Sequence, residues 1–240
     1  MSTTTHFHLL PERTGSAADN MAADFLLLQR YPEPDAVRFR QYHWRNPAFT
    51  FGYSQKIAYI RGQVPDGDFE LCRRPTGGGL VDHRNDWTYA LVLPRRHPLF
   101  SARAGDSYRL VHEVIRDSLV SLGHPVALHH PGDKKRPNSP SAPGVCFQNA
   151  EPYDVVHART GLKVAGAAQK RTNHSLLFQG SLERASLPDC DWDELLEPLV
   201  RNLAAAFGAE PVATGWPDFP PDEESGLAER FASEEWLERR

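Results

Sequence analysis

Three stretches of this chain hold residue types able to do chemistry. Cys146 offers a thiol and Lys163 an ammonium, and residues 73–83 run Arg73-Arg74-Pro75-Thr76-Gly77-Gly78-Gly79 onward to His83. A thiolate is a good nucleophile toward acyl groups, and a nearby ammonium lowers a thiol's pKa and raises its thiolate fraction. Between Cys146 and Lys163 there is enough chain for a loop, a strand and a hairpin turn at Gly161, which lets the two face each other across neighbouring strands. Three consecutive glycines suit a turn with φ > 0, or a place where a ligand approaches the backbone closely. Each feature also has a plainer reading. Taken singly, the cysteine is a small buried hydrophobe, the lysine a solvated residue and the glycines a hairpin turn. The glycine run is neither a phosphate-binding Gly-x-x-x-x-Gly-Lys-Ser/Thr loop nor a Gly-x-Gly-x-x-Gly dinucleotide fingerprint.

The elements that must position these residues follow from hydrophobic period. Met21, Phe25 and Leu28 recur at helical spacing, with Ser16 or Asp19 as cap, and predict an amphipathic helix over 16–28. Alternation of Val37, Phe39 and Gln41 with Arg38, Arg40 and Tyr42 predicts a strand over 36–44, stopped before Pro47. A second short strand over 49–55 ends in a turn. Residues 69–74 lead into the glycines and 88–93 lead out of them as strands. Leu110, Val111, Val114, Ile115, Leu119 and Leu122 form the stripe of the longest helix, 107–123, ended by Gly123. The basic, Pro/Ser-rich segment 133–144 reads as a mobile loop, with strand-like sequence resuming at Val145. A helix over 192–207, a Pro/Asp-rich connector over 214–225 and a closing helix over 231–236 complete the chain.

Composition narrows the class. With 240 residues, 24% of them charged and 40% apolar, the chain suits one sizeable globular domain of mixed α/β character. A net charge of -4 argues against nucleic acid as the partner, because phosphate neutralisation favours a basic surface. Three cysteines at 72, 146 and 190 make neither a disulfide framework nor a metal-binding Cys-x-x-Cys pair, so no metal site is expected. No apolar run approaches the length of a membrane span, and the first residues lack the pattern of a secretory signal. The expectation is a cytoplasmic protein.

One order of motifs is more specific than any of this. Asn20-Met21-Ala22-x-Asp24 comes first, followed by Arg38-Phe39-x-x-Tyr42-x-Trp44-x-x-Pro47 and Gly52-x-x-Gln55. Arg73-Arg74-Pro75-Thr76-Gly77-Gly78-Gly79 with His83 comes next, and Lys163-x-x-Gly166-x-Ala168-Gln169 last. This order resembles the lipoate-protein ligase A and octanoyltransferase group of the biotin/lipoate ligase superfamily, from about residue 16 to residue 183. The resemblance implies an α+β catalytic domain of mixed, largely antiparallel sheets flanked by helices over residues 1–208. Residues 209–240 would then be a connector and helix rather than a full accessory domain. It implies an acyl pocket in which Lys163 orients the acyl carbonyl, lined by Arg73, Arg74, Thr76, Gly77, Gly78, Gly79, His83, Gly166 and Ala168. In that pocket the lysine is expected to be dispensable for folding and essential for transfer.

Two reactions lie within the group. A cysteine-type octanoyltransferase takes the acyl group from acyl carrier protein onto its own thiol and needs no cofactor. A lipoate-protein ligase activates free octanoate or lipoate with ATP and Mg²⁺. Both deliver it to a lysine of a lipoyl domain, such as glycine cleavage H protein or an E2 subunit. Cys146-Phe147 before Tyr153-Asp154 resembles the cysteine-containing transferases, and no Lys-Gly adenylate loop follows Ser181. Two positions depart from the family pattern: Gln179 stands where histidine is usual, and Arg84 where an acidic residue commonly follows His83. A non-catalytic paralogue that only binds an acyl carrier is the further alternative. A biotin-type Gly-Arg-Gly-Arg segment is absent.

Overall fold

The computed structural model describes residues 6–133 and 150–239. Cys146 and the strand expected to resume at Val145 lie outside the described residues, as does nearly all of segment 133–144. The chain runs β1 (Phe7–Leu9), β2 (Arg13–Gly15), α1 (Ala17–Gln29), β3 (Val37–Trp44), β4 (Ala48–Phe51), α2 (Ile57–Arg61), β5 (Glu70–Arg73), β6 (Leu80–Asp82) and β7 (Asp86–Pro94). It continues through α3 (Pro98–Ser101), α4 (Ala104–Ser121), β8 (Val126–Leu128), β9 (Val155–His157), β10 (Lys163–Arg171), β11 (Ser175–Glu183), α5 (Leu196–Ala206), β12 (Pro211–Ala213), α6 (Pro221–Ala232) and α7 (Glu234–Leu237).

The larger sheet has the order β12-β1-β3-β7-β11-β10-β9-β8, with β2 paired to β3. Its centre is antiparallel, and parallel pairing is confined to the β12-β1-β3 end and to β2. A smaller sheet, β5-β4-β6, stands beside it.

The period-2 pattern of β3 sets the two faces of the larger sheet. Val37 and Phe39 join Leu91, Phe178, Val111, Ile115 and Leu203 in the main core under α4 and α5. Tyr42 faces the other way, with Val92, Leu177 and the α1 residues Leu26 to Leu28. α1 starts at a capping box in which Ser16 and Asp19 satisfy each other's backbone N–H groups. Among the described residues, no helix is long and apolar enough to cross a membrane.

The C-terminal stretch folds back onto this body. β12 pairs with β1, and Phe231 and Trp236 pack with Met21 and Cys72 under α1. Part of the expected 214–225 connector is helical, since α6 begins at Pro221. Ser233 breaks the expected closing helix in two, its hydroxyl accepting from the Trp236 N–H to cap α7.

Candidate active site

A cavity of about 970 Å³ opens between the two sheets. Trp44, His83, Gly78, Gly79, Lys163 and Gln179 stand on its wall.

The glycine turn joins β5 to β6, and one buried arginine fixes its shape. The Arg74 guanidinium donates to the Gly77 carbonyl through Nε (3.1 Å) and Nη2 (2.7 Å), to the Gly79 carbonyl (2.8 Å) and to the Thr50 carbonyl (3.1 Å). The Gln55 amide holds the Gly78 carbonyl at 3.3 Å. With all three glycine carbonyls occupied, the Gly77, Gly78 and Gly79 N–H groups have no acceptor among the described residues. Such a set of preorganised donors suits an oxygen that gains negative charge. Gly78 has φ +86, and a Cβ there would meet Arg74 Nη2 at 2.7 Å, whereas a Cβ at Gly77 would meet nothing within 4 Å. Gly78→Ala is therefore expected to distort the turn and weaken acyl binding at least tenfold, with Gly77→Ala near wild type. Equilibrium binding of an octanoyl analogue to the two variants checks this.

Arg73 faces away from the cavity. Its guanidinium donates to the carbonyls of Tyr53 (2.6 Å), Gln55 (2.7 Å), Trp236 (3.0 Å) and Leu237 (2.5 Å). The Trp236 indole returns a bond to the Arg73 carbonyl at 2.7 Å. The expected substrate contact is thus a clamp on α7, because only a donor with this fork geometry reaches four carbonyls at once. Thr76 also lies behind the wall, where its hydroxyl donates to Gln179 Oε1 at 2.8 Å.

Gln179 itself links the turn to a buried ion pair. Its Nε2 donates to Asp24 Oδ2 at 2.6 Å, and Arg40 holds Asp24 Oδ1 at 2.7 Å through Nη2. Arg40 and Asp24 are both fully buried, so the amide standing where histidine is usual completes a satisfied network. His83 is equally committed. Its Nε2 meets the Thr50 hydroxyl at 2.8 Å and its Nδ1 meets Asp86 at 2.7 Å, while its ring stacks on Trp44 at 4.1 Å. Ser181 donates to the same Asp86 oxygen at 2.5 Å. Arg84 pairs with Asp82 at 2.6 Å on the outside.

Lys163 opens β10, where a register shift before Ala165 turns its side chain toward the cavity. Its Nζ lies 2.7 Å from Asp154 Oδ2, and Asp154 is fully buried. Gly166 makes the room: a Cβ there would fall 2.5 Å from Lys163 Cε and 2.6 Å from Nζ. The Glu151 N–H donates to Asp154 Oδ2 at 2.7 Å, and the Tyr108 phenol donates to Oδ1. Burial and the Asp154 carboxylate push the Tyr108 pKa well above the phenol range, so it stays a donor. Tyr153, just before Asp154, adopts φ 72, a costly backbone for an aromatic residue at the turn that delivers the carboxylate. Under Tyr108, at a ring separation of 3.9 Å, His112 is buried and held neutral by desolvation, with its pKa lowered to about 4. Sequence reasoning missed Tyr108 and Asp154. Tyr108 was read only as part of a helix start, and Asp154 only as a neighbour of Cys146-Phe147.

The other two thiols are disarmed by burial. Desolvation pushes Cys72 up to about 12 and Cys190 up to about 11, which leaves very little thiolate at neutral pH. Iodoacetamide treatment of the native protein near pH 7.5 is expected to modify Cys146 and leave Cys72 and Cys190 unlabelled. Peptide mass mapping checks this.

The model of the lipoyl protein ligase A/B catalytic domain matches residues 16–189. The chain belongs to this family. The octanoyltransferase LipM of Bacillus cereus is 31% identical over 82% of this chain and 73% of its own length. That of Bacillus subtilis (strain 168) is 33% identical over 76% of this chain and 65% of its own. The chain thus spans about two thirds of the length of such curated relatives. Its fold is that of the solved lipoate ligases. A bi-partite lipoate protein ligase from Thermoplasma acidophilum superposes with a TM-score of 0.69 at 18% identity, covering 98% of this chain and 96% of that one. A lipoate-protein ligase A bound with ATP gives 0.68 at 18% identity, covering 98% of both chains.

Proposed function

We propose that this family member is an acyltransferase of lipoate metabolism, which carries an octanoyl or lipoyl group on Cys146 and delivers it to one lysine of a lipoyl domain. In the first step the Cys146 thiolate attacks the carbonyl of a carrier-bound thioester. A new C–S bond forms, the old one breaks, and the carrier leaves as its thiolate. In the second step a deprotonated lysine amine of the acceptor attacks the Cys146 thioester. An amide bond forms, and the Cys146 sulfur leaves and recovers a proton.

Both steps place negative charge on the acyl oxygen. The observation that carries the proposal is the Lys163 ammonium, steadied by Asp154, on the same cavity wall as Gly78 and Gly79, whose N–H groups have no acceptor among the described residues. Gly166 and Ala168 shape the wall beside the lysine, and His83 holds Trp44 and Thr50 in place. The likeness to relatives named octanoyltransferase LipM supports acyl transfer over activation by ATP.

The donor decides between these. Octanoyl-acyl carrier protein, without nucleotide, is expected to acylate a lipoyl domain of an E2 subunit or of glycine cleavage H protein. Octanoate with ATP and Mg²⁺ is expected to give at most about one hundredth of that rate. Acylation from octanoate that depends on ATP and matches the thioester rate would replace transferase by ligase.

A further inference from the structure

At the opposite end of β3 from Trp44 lies a second cavity of about 300 Å³. It sits among the end of α1, the start of β3, the end of β7 and the β10–β11 turn. Arg38 and Trp44 are roughly 20 Å apart along the strand at its usual rise, so this cavity is separate from the acyl pocket. Arg38, Tyr31, Arg95, Arg96, Asn173 and Ser175 line it.

Arg38 and Arg40 share a face of β3, yet their surroundings differ. Arg40 has Asp24 and the Asn20 carbonyl. Arg38 is only 2% exposed and makes no ion pair among the described residues. Its Nε has no partner, its Nη1 reaches the Ser175 hydroxyl at 3.4 Å, and its guanidinium lies 4.7 Å from the Tyr31 ring centre. Desolvation lowers its pKa to about 10, so it remains a cation at neutral pH. Asp35 acts on Arg38 only from a distance; a buried cation with no anion in contact costs several kcal/mol, which an anion with two acceptor oxygens offsets through the planar fork. Two further arginines stand at the wall. Arg96 is shared with Asp35 at 2.8 Å, and Arg95 is steadied by the Asn173 carbonyl at 2.9 Å. With three guanidinium groups against one carboxylate, the cavity is positive.

We propose that this cavity is a binding site for a small oxyanion, a phosphate or carboxylate group, with Arg38 as its buried bidentate anchor and Arg95 and Arg96 at its rim. The volume is ample for such a group and leaves room for part of the molecule that carries it.

The test is thermal unfolding and titration calorimetry of the full chain with inorganic phosphate and with acetate, at ionic strength held constant with chloride. Phosphate or acetate is expected to raise the unfolding midpoint saturably by several degrees at about 50 mM. Arg38→Met, which keeps the buried stem and removes the charge, is expected to lose that rise and to bind at least tenfold more weakly. Its octanoyl transfer should stay at the wild-type rate. A larger response to phosphate identifies a phosphate site, and a larger response to acetate a carboxylate site. Should Arg38→Met fail to fold, Arg95→Ala/Arg96→Ala must weaken binding in its place. An equal rise in wild type and Arg38→Met, undiminished binding by the double variant, or no response beyond that to chloride would overturn the site.

Discussion

Replacing Lys163 by methionine is expected to lower octanoyl transfer by about 10²–10³-fold, the usual loss when a donor to a developing oxyanion is removed. The effect should fall on kcat more than on KM, because the ammonium meets full charge only in the transition state. The same change strands the Asp154 carboxylate, which is fully buried. Breaking such a pair costs about 3–5 kcal/mol, and here the remaining bonds from Tyr108 and the Glu151 N–H reduce that penalty. Lys163 is therefore expected to contribute to stability as well as to transfer. Lys163→Met/Asp154→Asn separates the two roles. It should recover most of the lost unfolding midpoint and none of the lost rate. Near-native transfer by either folded variant would remove the ammonium from the chemistry.

The pattern of chemistry-bearing residues was readable in the chain because it is local. Gly77, Gly78, Gly79, His83, Lys163, Gly166 and Ala168 sit in short motifs, and most of them reach the cavity wall. Side chains whose partners are distant in sequence were harder to read. Arg73 and Arg74 are adjacent and of one type, yet a strand sends them to opposite sides, one to α7 and one to the glycine turn. The Asp154 carboxylate takes a hydrogen bond from Tyr108 across 46 residues of chain, a separation that no spacing rule reaches. Gly52 shows in the sequence only as part of the Gly52-x-x-Gln55 motif, but a Cβ there would lie 2.0 Å from the Gly78 carbonyl oxygen, so it lets the end of β4 run against the glycine turn.

Elements followed the same rule. The long helix and β3 announced themselves by period, whereas β1, β8, β9 and β12 have three residues each, too few to show one. α6 did carry its signals, Pro221 at the helix start and Asp222, Glu223 and Glu224 in the first turn. These suit a helix N-terminus, though the same composition reads as a connector.

Covalent passage of the acyl group through one thiol is read by intact mass after incubation with octanoyl-acyl carrier protein. Cys146 is the thiol expected to carry the group, since burial has raised Cys72 to about 12 and Cys190 to about 11. The wild-type protein is expected to gain one octanoyl group, released by neutral hydroxylamine as a thioester must be. Cys146→Ala should gain none and transfer at less than about one thousandth of the wild-type rate, the scale of loss when a nucleophile is deleted. An adduct mapped to Cys72 or Cys190, an adduct stable to hydroxylamine, or full activity of Cys146→Ala with octanoate, ATP and Mg²⁺ would contradict it.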